Sequence, residues 1–192
     1  MTMSTFKRIA VTNRSLCSAR LEAQVEKICK AGLCNALILR EKDLDEQDYM
    51  SLAIYIKVIC DKHRIDFFCN NMPSVAERLK CNLQLSYQSF LDQKWKSGQI
   101  TWVSVHTVEE AINAERLGAD GLIAGHIFVT DCKKGLAPRG LNFLKEVCDA
   151  VSIPVFAIGG IDDSNSDLVR LVGAQGECRM LYEILVLGAC FA

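Results

Sequence analysis

Three junctions in this chain repeat one pattern: Lys30-Ala-Gly-Leu-Cys-Asn-Ala-Leu, Arg116-Leu-Gly-Ala-Asp-Gly-Leu and Leu171-Val-Gly-Ala-Gln-Gly-Glu. Each follows a stretch of helical periodicity, places glycine where a helix ends in the left-handed conformation, and leads towards a short segment with strand character. Gly32, Gly118 and Gly173 are separated by about three and about two repeats of roughly 28 residues, the length of a strand joined to a crossover helix. Around these junctions, strand and helix patterns alternate along the chain. Strands are expected at 6–11, 36–39, 66–69, 83–85, 102–105, 122–124 and 155–158. Helices are expected at 21–31, 48–63, 74–80, 108–117, 141–150 and near 165–171. Seven or eight such units predict a single domain, residues 1–192, folded as an α/β (β/α)8 barrel, with an open doubly wound sheet as the alternative. The tail after Gly173 has no clear pattern.

Composition narrows the function. Half of the 192 residues are hydrophobic, enough for a sizeable core. With 22 basic and 23 acidic residues interspersed, the net charge of -1 argues against nucleic acid or a membrane surface as the main partner. No apolar run reaches the roughly 20 residues of a membrane helix. Ten cysteines would suggest disulfides in a secreted chain. Here Cys29, Cys34, Cys60, Cys69 and Cys148 lie in apolar stretches, no zinc-type spacing occurs, and no secretory leader is expected from the opening residues. The expectation is a cytoplasmic protein with reduced, inert thiols.

In a barrel the residues just after each strand face one rim, so they form the candidate site. They are Asn13 and Arg14, Arg40-Glu41-Lys42, Asn70 and Asn71, Ser86 and Tyr87, His106 and Thr107, His126 with the loop Thr130–Arg139, and Gly159-Gly160. The set is basic and polar, which suits a small anionic substrate, and it lacks the facing carboxylates that favour a metal. His126 ends the apolar run Leu122-Ile-Ala-Gly and precedes a basic loop, a placement that suits acid–base chemistry better than a structural role. Gly159-Gly160 leads into Asp162-Asp-Ser-Asn165 and offers backbone N–H groups to a phosphate, although a tight turn would need glycine too. Lys133-Lys134 is either an anion clamp or a solvated pair. His63 reads as a solvated helix-end residue. His106 reads as part of a helix start, in which Thr107 caps and Glu110 closes a capping box.

Leu39-Arg-Glu-Lys-Asp-Leu44, Ser104-Val-His-Thr-Val-Glu-Glu-Ala111 and Ile153-Pro-Val-Phe-Ala-Ile-Gly-Gly160 together resemble thiamine phosphate synthase and its TenI relatives, in order and over nearly the whole chain. The resemblance implies a TIM barrel acting in thiamine biosynthesis. The synthase holds magnesium and a pyrimidine diphosphate with an Asn-Asp pair and a later acidic residue; the matching positions here are Asn70-Asn71 and Ser89, and Ile38 replaces a usual Gln. Gly125-His-Ile-Phe-Val-Thr-Asp-Cys-Lys-Lys-Gly135 is instead similar to the TenI-type thiazole tautomerase, whose matching His is catalytic and where the synthase typically carries Pro. The resemblance therefore implies a cofactor-free, metal-free isomerase that aromatises a carboxythiazole phosphate. His126 would move the proton, since imidazole titrates near pH 6.5. Arg40, Lys42, Asn70, Ser104, Thr130 and Lys133 are implied as substrate contacts, and Gly159, Gly160 and Leu181 as phosphate contacts. Met180-Leu-Tyr182 replaces the family's Ser-Gly pair, and Glu177 and Arg179 interrupt an expected apolar strand. A degenerate last unit with reduced phosphate affinity is the corresponding expectation. Thiamine phosphate synthase and a non-catalytic phosphate-binding relative are the alternatives; the partner is a small thiazole phosphate, and a homodimer is left open.

Overall fold

The computed structural model of this chain describes residues 6–92, 98–130, 133 and 135–188. Eight strands alternate with eight helices: β1 Lys7–Val11, α1 Leu21–Lys30, β2 Ala36–Leu39, α2 Glu46–His63, β3 Asp66–Asn70, α3 Pro73–Leu79, β4 Asn82–Ser86, α4 Tyr87–Asp92, β5 Thr101–Val105, α5 Val108–Arg116, β6 Gly121–Gly125, α6 Gly140–Ala150, β7 Val155–Ile158, α7 Ser166–Leu171, β8 Gly176–Met180 and α8 Leu181–Gly188. The strands close into a barrel in sequence order, the (β/α)8 fold that the repeated junctions predict. No helix among the described residues is long and apolar enough to cross a membrane.

The residues fall into two compact units. One contains 8–84 and 180–188. In it β1, β2, β3 and β4 pair in parallel. Tyr49, Ala53, Ile56 and Cys60 form the buried stripe of α2, and α1 packs against both α2 and α8. The other unit contains 6–7 and 85–179. There β5 to β8 pair in parallel, and Val103, Val105, Leu122, Ala124, Val155 and Ala157 meet Ala111, Ala114, Leu144, Val147 and Val169 from the helices. Strands covered on both faces read as unbroken apolar runs, which is why β2 and β6 were legible.

The repeated glycines do what their positions demand, with φ of 64° at Gly32, 95° at Gly118 and 106° at Gly173. At the first, Leu33 N donates to Ile28 O and Gly32 N to Cys29 O, the paired bonds of a Schellman end. Arg64 and Lys80 take the same conformation without glycine, so α2 and α3 end with no comparable signal in the sequence. The short α4 was not expected; Ser86 Oγ accepts from Ser89 N at its start. His63 is not simply solvated, because its ring lies 2.9 Å from Glu26 in α1. The described cysteines are free thiols, six of them buried; burial raises the pKa of the half-buried Cys148 to about 11, whereas hydrogen bonds from Cys34 and Cys60 lower that of Cys29.

The tail departs most from expectation. Residues 176–180 form a regular strand although Glu177 and Arg179 are 0% and 2% exposed. Spaced by two, they share one face of β8. Arg179 pairs with Glu177 at 2.7 Å and with Asp163 at 2.7 Å, while Ser166 Oγ donates to Glu177. Charge neutralisation within the strand replaces apolar contact, so the eighth unit is complete even though its hydrophobic pattern is broken. Removing one member strands the other charge in the interior. Arg179→Leu is expected to cost about 3–5 kcal/mol, and the double variant Glu177→Val/Arg179→Leu to recover most of that loss. Urea unfolding measures both; a double variant no more stable than the single one would contradict the assignment.

Candidate active site

His126 follows β6 directly, and its backbone is held from several directions. Gly125 O accepts from His106 Nδ1 at 2.7 Å, and His126 O accepts from Arg139 N at 3.0 Å. Ile127 N donates to Ile158 O and Phe128 N to Gly159 O, each at 2.9 Å. The end of β6 is thereby sewn to the end of β7. Gly159 lies so close that a Cβ there would fall 2.4 Å from His126 Cβ, and one on Gly160 would fall 2.3 Å from Val129 O. Both glycines have left-handed φ, 103° and 64°. The glycine pair is therefore required by close backbone approach to the histidine loop, a duty beyond the tight turn weighed from sequence.

The His126 imidazole carries a buried polar atom left unpaired: its Nε2 has no hydrogen-bond partner among the described residues. Native proteins rarely bury a polar atom unpaired, because this costs about 1–3 kcal/mol. A nitrogen in this condition can give a proton to, or take one from, a molecule bound beside it. Ser104 lies half-buried in β5, opposite Ile123 of β6. Thr130 is half-buried, with its carbonyl accepting from Lys133 N at 3.1 Å, and Lys133 is exposed. Lys134 lies outside the described residues.

The second unit carries the other expected contacts. Leu39 pairs with Cys69, so Arg40 and Asn70 stand next to one another at the ends of β2 and β3. Tyr49 ties these ends together: its hydroxyl donates to Leu39 O at 2.5 Å and accepts from Asn70 N at 2.9 Å. Burial raises the pKa of this hydroxyl, so it stays protonated. Arg40 is half-buried with no side-chain partner among the described residues, a cation available to an anion. Lys42 is exposed. Asn70 Nδ2 donates to Gln84 Oε1 at 2.5 Å.

Neighbouring candidates have structural duties. Glu41, 3% exposed, accepts from Thr12 Oγ1 and from Arg14 N, clamping β1 to β2. The Arg14 guanidinium is bidentate to Asp43, with both bonds at 2.6 Å, and holds that carboxyl below its usual range. Asn13 accepts from Ser15 N and Oγ in the turn after β1. Leu181 is 1% exposed, and the amide beside it, Met180 N, already donates to Glu183 Oε2 at 3.2 Å. A carboxylate thus occupies the first turn of α8, leaving Leu181 only its backbone with which to contact a phosphate.

Sequence reasoning missed Tyr49 and the bond from His106 to Gly125. Tyr49 lies near the start of the expected helix 48–63 and carries no motif of its own. His106 was read as a helix-start residue, and that part holds: Thr107 Oγ1 accepts from Glu110 N. Glu110 Oε2, however, accepts from His106 N at 2.6 Å, one residue earlier than a standard capping box. The pairing of Val105 with Ala124 then sets His106 beside Gly125. Only the strand register carries that information.

Comparison with known proteins is consistent across sequence and structure. Residues 9–180 match the family described as thiamine monophosphate synthase (TMP-TENI). The chain is similar to the thiamine-phosphate synthase of Clostridium tetani, 31% identical over 171 residues, covering 86% of this chain and 82% of that one. It is also similar to the thiamine-phosphate synthase of Methanocella arvoryzae, 34% identical over 172 residues, covering 86% and 81%. Among solved structures, thiamine phosphate pyrophosphorylase from Pyrococcus furiosus superposes with a TM-score of 0.79 at 26% identity, covering 92% of this chain and 86% of that one.

The contact between Gly159 and His126 yields a direct test. Gly159→Ala adds a methyl group where His126 already sits, whereas Gly135, also with positive φ (82°), has open space around its Cβ position. Both variants incur the backbone penalty, and overpacking adds about 1–3 kcal/mol at Gly159 alone. Urea unfolding should show that difference. Equal losses for Gly159→Ala and Gly135→Ala would mean that the close approach is unimportant.

Proposed function

The chain belongs to the thiamine monophosphate synthase family, matched over residues 9–180, and from that membership we propose that it catalyses a step in the assembly of thiamine phosphate. Its relatives are named for the synthase, which favours a transferase over the isomerase expected from the histidine motif. The observation that carries this reading is the collinear match itself, over residues 9–180. Arg40, half-buried and unpaired among the described residues, would offset the negative charge of a phosphorylated pyrimidine. Asn70, held by Tyr49 and Gln84, would orient it.

The magnesium that the synthase branch implies does not fit this chain. The two positions that resemblance assigns to carboxylates are Asn71 and Ser89, and Ser89 Oγ lies 2.7 Å from Ser86 Oγ. An amide and a hydroxyl bring no charge to offset dehydration of a hard cation.

A second reading, thiazole tautomerase, is favoured by the buried, unpaired Nε2 of His126. Here the imidazole would remove the proton from the ring carbon beside the carboxylate and return one to the exocyclic carbon, so the substrate isomerises without net gain or loss. The backbone amides of Gly159 and Gly160 would seat the phosphate.

Two assays on the purified chain separate these readings. The first supplies pyrimidine diphosphate and thiazole phosphate, with magnesium or with a chelator, and measures thiamine phosphate. The second supplies the carboxythiazole phosphate tautomer alone and measures its aromatic isomer. The transferase reading expects product in the first assay, with little loss in the chelator. If only the second proceeds, and His126→Gln slows it by about 10²–10⁴-fold, the tautomerase reading replaces it. Binding of thiazole phosphate without turnover in either assay would leave a phosphate-binding relative.

A further inference from the structure

We infer that His106 is a positioning residue for His126, acting through the Gly125 carbonyl. The inference rests on the reading of His126 as a proton-transfer group. Gly125 O belongs to the peptide that joins Gly125 to His126, so whatever fixes that carbonyl fixes the plane from which the His126 side chain departs. Gly125 cannot be steadied by a side chain of its own: a Cβ there would lie 2.4 Å from Ile158 Cγ2. The restraint comes instead from His106 Nδ1, at 2.7 Å. A carbonyl only accepts, so Nδ1 carries the hydrogen, and the neutral ring has its lone pair on Nε2.

His106 is itself anchored. Its backbone N donates to Glu110 Oε2 at 2.6 Å, and Glu110 N donates to Thr107 Oγ1 at 3.1 Å. A continuous line of hydrogen bonds thus runs from the first turn of α5 through His106 to the peptide that bears His126. Gly159 supports His126 from another side, and Arg139 N holds its carbonyl. The imidazole of His106 is directed at a backbone oxygen and His106 is exposed, so it orients the reacting group without touching the chemistry.

Three substitutions resolve this role. Asn places an amide N–H about where imidazole Nδ1 lies, whereas Gln places its amide one methylene farther out and Ala has no donor. The first readout is the ¹⁵N–¹H long-range spectrum of the His126 imidazole without ligand, after thermal denaturation has established which variants are folded. His106→Ala and His106→Gln should displace the His126 resonances, and His106→Asn should return them close to the wild-type positions. If Ala does not fold, the Gln and Asn pair decides. The second readout is turnover of the carboxythiazole phosphate tautomer. Losing one neutral hydrogen bond should lower kcat about five- to tenfold in the Ala variant, with KM within about twofold and recovery in Asn. Unmoved His126 resonances in the Ala or Gln variant, or an Asn variant no better than Ala, would overturn the inference. A wild-type protein inactive on this substrate would refute the proton-transfer reading of His126, while the spectra would still decide whether His106 positions it.

Discussion

The seam between the ends of β6 and β7 is the constraint on which this site depends. Main-chain bonds from Ile127 and Phe128 to Ile158 and Gly159 bring two strand ends so close that no side chain fits between them. That proximity explains three glycines at once: Gly125 against Ile158, Gly159 against His126, and Gly160 against Val129. It also places an imidazole at a strand terminus with Nε2 buried and without a hydrogen-bond partner among the described residues. The backbone beneath the His126 ring is thereby held rigid.

The same unit solves a different problem in β8, where two charges stand in a strand expected to be apolar. The pairing of Arg179 with Glu177 and Asp163, with Ser166 donating to Glu177, neutralises the interior. Asp163 and Ser166 lie in the segment that follows Gly160, so the strand also holds that connection in place. Such a network contributes little net stability relative to an apolar equivalent, but it penalises any arrangement that separates its members.

Family membership and local chemistry pull in different directions at the finer level. The relatives are named for a transferase, yet the positions that resemblance assigns to metal-binding carboxylates hold an amide and a hydroxyl. Arg40 and Asn70 stand side by side at the ends of β2 and β3. Without carboxylates at Asn71 and Ser89, those two positions bring no charge to offset dehydration of a hard cation. A fold of this kind tolerates such change because the barrel strands are independent of the loops and strand ends that carry the chemistry.

By itself, the sequence determined the alternation of strands and helices through seven units and the glycine-terminated helix ends, and so favoured a barrel over an open sheet; closure by an eighth strand came from the structure. The alternation and the helix ends are local: each is encoded by periodicity within a segment and a glycine at its end. It also marked His126 and Gly159-Gly160, because both directly follow apolar strands. The helix ends at Arg64 and Lys80 were invisible, since side chains other than glycine took the same conformation there. Only the tertiary structure decided that Glu41 is a buried clamp, that Tyr49 ties Leu39 to Asn70, and that His106 reaches the Gly125 carbonyl. It also decided that Glu183 occupies the start of α8 and that Glu177 and Arg179 complete a strand rather than break one. All of these depend on strand register and on partners far apart in sequence, and a hydrogen bond or ion pair between distant residues leaves no periodic trace along the chain.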